Sequence, residues 1–185
     1  EMCIRDSYQA EGSLDPTGRY LLYCSLQTNQ GDLLVMDTKD GRVQSIVSEP
    51  GYDGGPFFSP DGRRICSRSD RAGNNLLQLY VADLQRDAQG MVLGIDCEDQ
   101  LTDDANVNWC PYWHPGGEHI VFATSRMGHR NYEIFIVDAA SNEKPTLRHL
   151  RPPSMVNSIV ASKSRGARPL NRNTERVGPS LRWLK

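Results

Sequence analysis

One four-residue turn recurs in this chain and fixes what it can fold into. Pro56-Phe57-Phe58-Ser59-Pro60-Asp61-Gly62-Arg63-Arg64-Ile65-Cys66-Ser67-Arg68-Ser69 reads as strand, tight turn, strand. Proline presets φ, aspartate bonds its own backbone, and glycine accepts φ > 0. The unit returns upstream as Asp15-Pro16-Thr17-Gly18 before Arg19–Ser25, and downstream as His114-Pro115-Gly116-Gly117 before Glu118–Ser125. In the downstream copy the turn chemistry survives and the aspartate bond is lost. The turn prolines 16, 60 and 115 lie 44 and 55 residues apart. A second marker keeps step: apolar strands ending in Asp37, Asp83 and Asp138, which follow the turn glycines by 19, 21 and 21 residues. Two markers in register three times predict a repeat architecture, and ~40–50 residues per unit suits a β-propeller blade.

The pattern resembles the Pro-Asp-Gly repeat of TolB-like propellers, WD40-like repeat proteins with six blades, over roughly residues 10–147. Similar repeats occur in the propellers of prolyl-oligopeptidase-type serine peptidases. The resemblance implies an all-β fold: about three four-stranded antiparallel blades, part of a six-bladed ring. Such a fold hosts unrelated activities. The expected blades are 10–48, 51–102 and 100–150. Residues 1–9 match no repeat and read as a non-native or disordered leader. Residues 151–185 show no fourth turn and read as a disordered or non-native basic tail. Since closure takes ~4–8 blades, three expose blade faces through which the chain could self-associate.

Charge narrows the partners. Residues 1–147 hold 12 Lys/Arg against 22 Asp/Glu, a net of −10, while the remainder holds nine against one. An acidic repeat module is a poor match for phosphate, so nucleic acid is not expected. No apolar run reaches the ~18 residues of a membrane span. No signal peptide is visible at residues 1–12. Cysteines 3, 24, 66, 97 and 110 have no C-x-x-C spacing, which disfavours zinc; Cys24 and Cys66 read as small core residues.

The segment before each first strand should face the propeller's channel. Asp53 and Asn108 occupy matching positions, with Asn106 and Trp109 beside them. By resemblance to TolB-like propellers they could touch a peptide, a cation or water; otherwise they only make turns. Arg68 and Asp70, and Arg126 and His129, are expected in matching loops, as partner contacts or as solvated charges. Trp109, Tyr112 and Trp113 form an aromatic cluster suited to stacking or to packing between blades. His114, His119 and His129 are not spaced to converge on a metal. No G-x-S-x-G elbow occurs, so no α/β-type serine hydrolase is encoded in these residues.

The expected function is a non-catalytic module presenting loops to a protein or peptide partner, with no catalytic residue and no cofactor. The resemblance implies a periplasmic place, within the Tol–Pal system. The alternatives are the substrate-gating propeller of a larger peptidase, or a carbohydrate-active propeller resembling oligosaccharide lyases.

Overall fold

The computed structural model describes residues 8–28, 30–139 and 146–150. Residues 1–7 of the expected 1–9 leader and the expected tail from residue 151 lie outside the described residues, while Gln9 opens the first strand. The twelve strands described form three four-stranded antiparallel sheets. The first contains β1 (Gln9–Leu14), β2 (Tyr20–Ser25), β3 (Asp32–Asp37) and β4 (Val43–Val47). The second contains β5 (Asp53–Phe58), β6 (Arg64–Ser69), β7 (Gln78–Arg86) and β8 (Val92–Gln100). The third contains β9 (Asn108–Trp113), β10 (His119–Thr124), β11 (Glu133–Asp138) and β12 (Leu147–His149). In every sheet the strands neighbour one another in chain order. A single 3-10 turn, Ser125–Met127, is the one helical element among the described residues.

The repeat holds residue by residue. Tyr20 pairs with Asp37, Arg64 with Asp83 and His119 with Asp138, so the three aspartate-ended strands are equivalent. Each inner turn closes with the same two backbone bonds. Asp15, Ser59 and His114 accept from Gly18, Gly62 and Gly117, and donate to the carbonyls of Tyr20, Arg64 and His119. The leading side chain reinforces each turn differently. Asp15 Oδ1 accepts from Tyr20 N–H at 2.8 Å, and Ser59 Oγ accepts from Arg64 N–H at 2.9 Å. His114 Nδ1 accepts from Gly116 N–H at 3.1 Å, a substitute for the lost aspartate bond.

At the other end of each inner strand a β-bulge recurs that nothing in the sequence pattern announces. The register of β1, β5 and β9 shifts between Ala10 and Ser13, Gly54 and Phe57, and Trp109 and Tyr112. Glu11, Gly55 and Cys110 sit inside the shifts with φ of 59°, 56° and 51°. A non-glycine residue in the left-handed region is uncommon, yet two of the three are not glycine. Ser13, Phe57 and Tyr112 are therefore equivalent, and Gly12 matches Pro56 and Pro111.

Blade 2 is buried on both faces, as its unbroken apolar strands require. Ile65 and Ala82 pack with Leu22, Leu33 and Val35 of blade 1. Cys66, Leu79 and Val81 pack with Trp113, Ile120, Phe122 and Val137 of blade 3. The long β7–β8 hairpin carries the outer strand to Gln100. Truncating Leu79, fully buried between blades, to alanine should lower unfolding free energy by ~2–5 kcal/mol. Ile134→Ala, on the exposed face of blade 3, should cost less than ~1 kcal/mol. Urea unfolding of both variants checks this; equal losses would contradict the two-faced burial of blade 2.

Candidate functional site

The starts of β1, β5 and β9 converge, β1 touching β5 and β5 touching β9. This is where the sequence places the channel mouth. Asp53 and Asn108 open β5 and β9 and are both fully buried. Asp53 Oδ1 accepts from Arg71 Nη2 at 3.2 Å, and Oδ2 accepts from Glu49 N–H at 3.1 Å. Burial still outweighs these partners and pushes the Asp53 carboxyl above its ordinary range. The Asn108 amide donates to Gln78 Oε1 at 3.1 Å and Thr102 Oγ1 at 3.2 Å. Thr102 Oγ1 also accepts from Leu79 N–H. Asp53 and Asn108 thus brace the rim from within and do not face solvent.

Arg68 is the strongest departure from expectation. It lies in β6, not in a loop, and is 2% exposed. Its strand counterpart is Ala123, because Ser69 matches Thr124; the counterpart of Arg126 is Arg71. The guanidinium passes β5 at Gly55, while the Tyr52 ring folds over Gly54. A Cβ on Gly55 would stand 2.0 Å from Arg68 Nη1, and one on Gly54 would stand 2.2 Å from the Tyr52 hydroxyl. Beyond that gap Arg68 donates to Glu11 Oε1 of blade 1 and to the Tyr52 hydroxyl at 3.2 Å. Its Cζ lies 3.8 Å from the ring centroid of Trp109 on blade 3. One cation therefore ties three blades at their inner edges.

Glu11 completes the knot. Its Oε2 accepts from Gly55 N–H at 2.6 Å and from the Tyr52 hydroxyl at 3.1 Å. Burial alone would raise the Glu11 carboxyl, but Arg68, Gly55 and Tyr52 together hold it below its ordinary value. Beside it, Cys24 donates through Sγ to the Asp53 carbonyl, and burial pushes its thiol up to about 11.

The remaining candidates scatter. Asp70 is spent on internal bonds: its Oδ1 accepts from Tyr52 N–H at 2.6 Å, and its carbonyl accepts from Gly73 N–H in the following turn. Asn106 takes part through its backbone, donating to Asp104 Oδ1 and accepting from the Gln78 amide. Arg126 pairs with Asp104. His129 stands apart, exposed, against Tyr132 at 6.5 Å between centroids. Trp113 is buried and donates to the Phe57 carbonyl, whereas Trp109 and Tyr112 stay 39% and 60% exposed. Among the described residues, no three or more His, Cys, Asp or Glu side chains gather to hold a metal. No helix of the described residues is long and apolar enough to cross a membrane.

The sequence reading missed Glu11, Tyr52, Arg71, Gln78 and Thr102. Only the Gly54-Gly55 pair signalled a close approach. The two rim carboxyls have opposite pH signatures. The Asp53 pKa is raised on folding, so its contribution to stability falls as pH rises; Asp53→Asn should gain on the parent from pH 3 to 7. The Glu11 pKa is depressed, so its contribution is present at neutral pH and lost in acid; Glu11→Gln should lose on the parent over the same rise. Thermal unfolding across that range reads both trends, and parallel trends would contradict the electrostatics of the rim.

No protein-family model matches the chain. Over 109 residues it is 28% identical to an uncharacterized protein of Agrobacterium fabrum, covering 59% of this chain and 33% of that protein. Over 83 residues it is 26% identical to the Tol-Pal system protein TolB of Francisella tularensis, covering 45% of this chain and 19% of that protein. The chain thus matches between about a fifth and a third of the length of these curated relatives. The solved TolB of Acinetobacter baumannii superposes with a TM-score of 0.59 at 20% identity, over 80% of this chain and 33% of that one. A puromycin-hydrolyzing peptidase of Mycobacterium tuberculosis gives 0.58 at 14% identity, over 78% and 24%. With its three equivalent four-stranded antiparallel sheets meeting at their first strands, the chain carries three blades of a TolB-like β-propeller.

Proposed function

We propose that this chain is a non-catalytic propeller module that docks a protein or peptide partner at the rim formed by the starts of its inner strands. The observation that carries this reading is the braced rim. Arg68, Glu11 and Tyr52 lock three blades together, Asp53 and the amide nitrogen of Asn108 are spent on internal bonds, and Trp109 is left exposed at the junction. A rim so tied presents a preformed surface, which lowers the ordering cost of binding. The docking face is centred on Trp109, the exposed aromatic at the junction. Kinship in fold to TolB proteins supports a scaffold role, and the resemblance supports a place in the bacterial cell envelope.

The second reading, the propeller of a larger prolyl-oligopeptidase-type peptidase, draws on the fold shared with the mycobacterial peptidase. Under that reading the rim would border a catalytic domain supplied by other residues.

Selection of a random-peptide display library on the chain tests the first reading. Selected peptides should lose binding at least about tenfold on Trp109→Ala, consistent with a buried aromatic anchor, and keep it on Arg42→Ala in the β3–β4 turn. Binders that respond to Arg42 and ignore Trp109 would overturn the rim as the docking face. Hydrolysis of a peptide anilide by the purified chain would overturn the non-catalytic role.

A further inference from the structure

Trp109 has two different faces. One lies on the Arg68 guanidinium at 3.8 Å, where the cation meets the negative face of the indole. The residue as a whole is 39% exposed although its neighbours Asn108 and Arg68 are buried, so the part of the indole that Arg68 leaves uncovered reaches solvent. Gly55 admits the guanidinium, and Glu11 and Tyr52 hold its far edge in place. The indole is therefore fixed flat at the inner edge of blade 3.

The surroundings define what this plate can accept. Tyr112 follows three residues later on the same strand, about 10 Å along at strand rise. It is 60% exposed and packs edge-on against Phe57 at 5.1 Å. The bulge at Cys110 lies between them, so Trp109 and Tyr112 do not alternate as they would in a regular strand. The blade 1 positions matching Trp109 and Tyr112 are Ala10 and Ser13, which are small. Phe57 and Tyr112 line a hollow that Ser13 and Leu14 of blade 1 also border.

Charge then selects among ring-seeking groups. A second cation on the uncovered part of the Trp109 indole would stand close to Arg68, where like charges repel. Glu11 neutralises Arg68 from the far side, but the guanidinium and not the carboxylate abuts the ring. A neutral ring has no such penalty and gains an offset or edge-on aromatic contact.

Resting on the docking role proposed above, we propose that Trp109 is the specificity-determining residue of the rim: it selects a partner segment that presents a neutral aromatic side chain, and Arg68 is the positioning residue that turns lysine and arginine away. The partner is a peptide segment bearing tyrosine or phenylalanine at the contact.

The test reads the indole N–H resonance of Trp109, assigned with Trp109→Phe, during titration of the full chain. The probes are N-acetyl-tyrosinamide and N-acetyl-lysinamide. The tyrosine probe should shift the Trp109 signal saturably and bind about two- to tenfold tighter than the lysine probe, the range a single aromatic pair supplies. The buried Trp113 signal should stay still. Arg68→Met, which removes the charge and keeps the bulk, should narrow the discrimination. Should that variant fail to fold, the comparison of the two probes on the parent chain still decides the matter. Equal or tighter binding of the lysine probe, or a Trp109 signal unmoved by the tyrosine probe, would overturn the inference. Library peptides that need Trp109 but carry no ring would end this inference and leave the docking role standing. Peptides that ignore the rim would end both.

Discussion

A slip of one residue in any inner hairpin would turn its core-facing side chains outward, and the chain blocks that slip twice in every blade. At one end stands a turn built on Pro16, Pro60 or Pro115 and closed by the same pair of backbone bonds. At the other stands a bulge whose central residue is left-handed. Between these pins the register admits one solution, and the strands outside follow it. Tyr20, Arg64 and His119 meet Asp37, Asp83 and Asp138 because the turn before them is fixed. The packing between blades depends on this. Ile65 can face blade 1 and Cys66 blade 3 only if neither shifts by one position.

The same bulges build the rim. By adding a residue to each inner strand, they re-aim the side chains around Glu11, Gly55 and Cys110, as bulges do near functional surfaces. Glu11 turns toward blade 2, where Gly55 N–H and Arg68 receive it. Gly55 vacates the space that the guanidinium fills. Trp109, just before the third bulge, closes over the cation. Buried ionic groups usually cost desolvation energy unless their hydrogen bonds are supplied. Here the carboxylate of Glu11 has three donors, and the guanidinium has Glu11 and the Tyr52 hydroxyl as acceptors at one end and a π-face at the other, with its buried Nε left without an acceptor.

Much of the fold was legible because two independent markers repeated in phase. Proline turns and aspartate-ended strands identify the blades even where one copy, His114-Pro115-Gly116-Gly117, has lost its aspartate. The rim was less legible, for identifiable reasons. The three bulge residues Glu11, Gly55 and Cys110 share no chemistry, so their shared conformation leaves no pattern in the sequence. Ser67-Arg68-Ser69 looks like the polar end of a strand, which put Arg68 in a loop and matched it to the wrong partner. Its burial depends on Gly55, more than ten residues away, and on a glutamate in another blade. Asp53 and Asn108 were correctly matched to each other, yet their burial came from Thr102, Gln78 and Arg71, which only the tertiary fold brings near.

The central claim is that blade 2 is clasped on both faces by equivalent neighbours whose register is pinned. Native-state amide hydrogen exchange, resolved residue by residue, tests it most directly. The account predicts that the slowest amides lie in β6 and β7, between the two cores, with β2 and β10 next and the outer β12 fastest. Exchange from β6 and β7 as rapid as from β12 would contradict it.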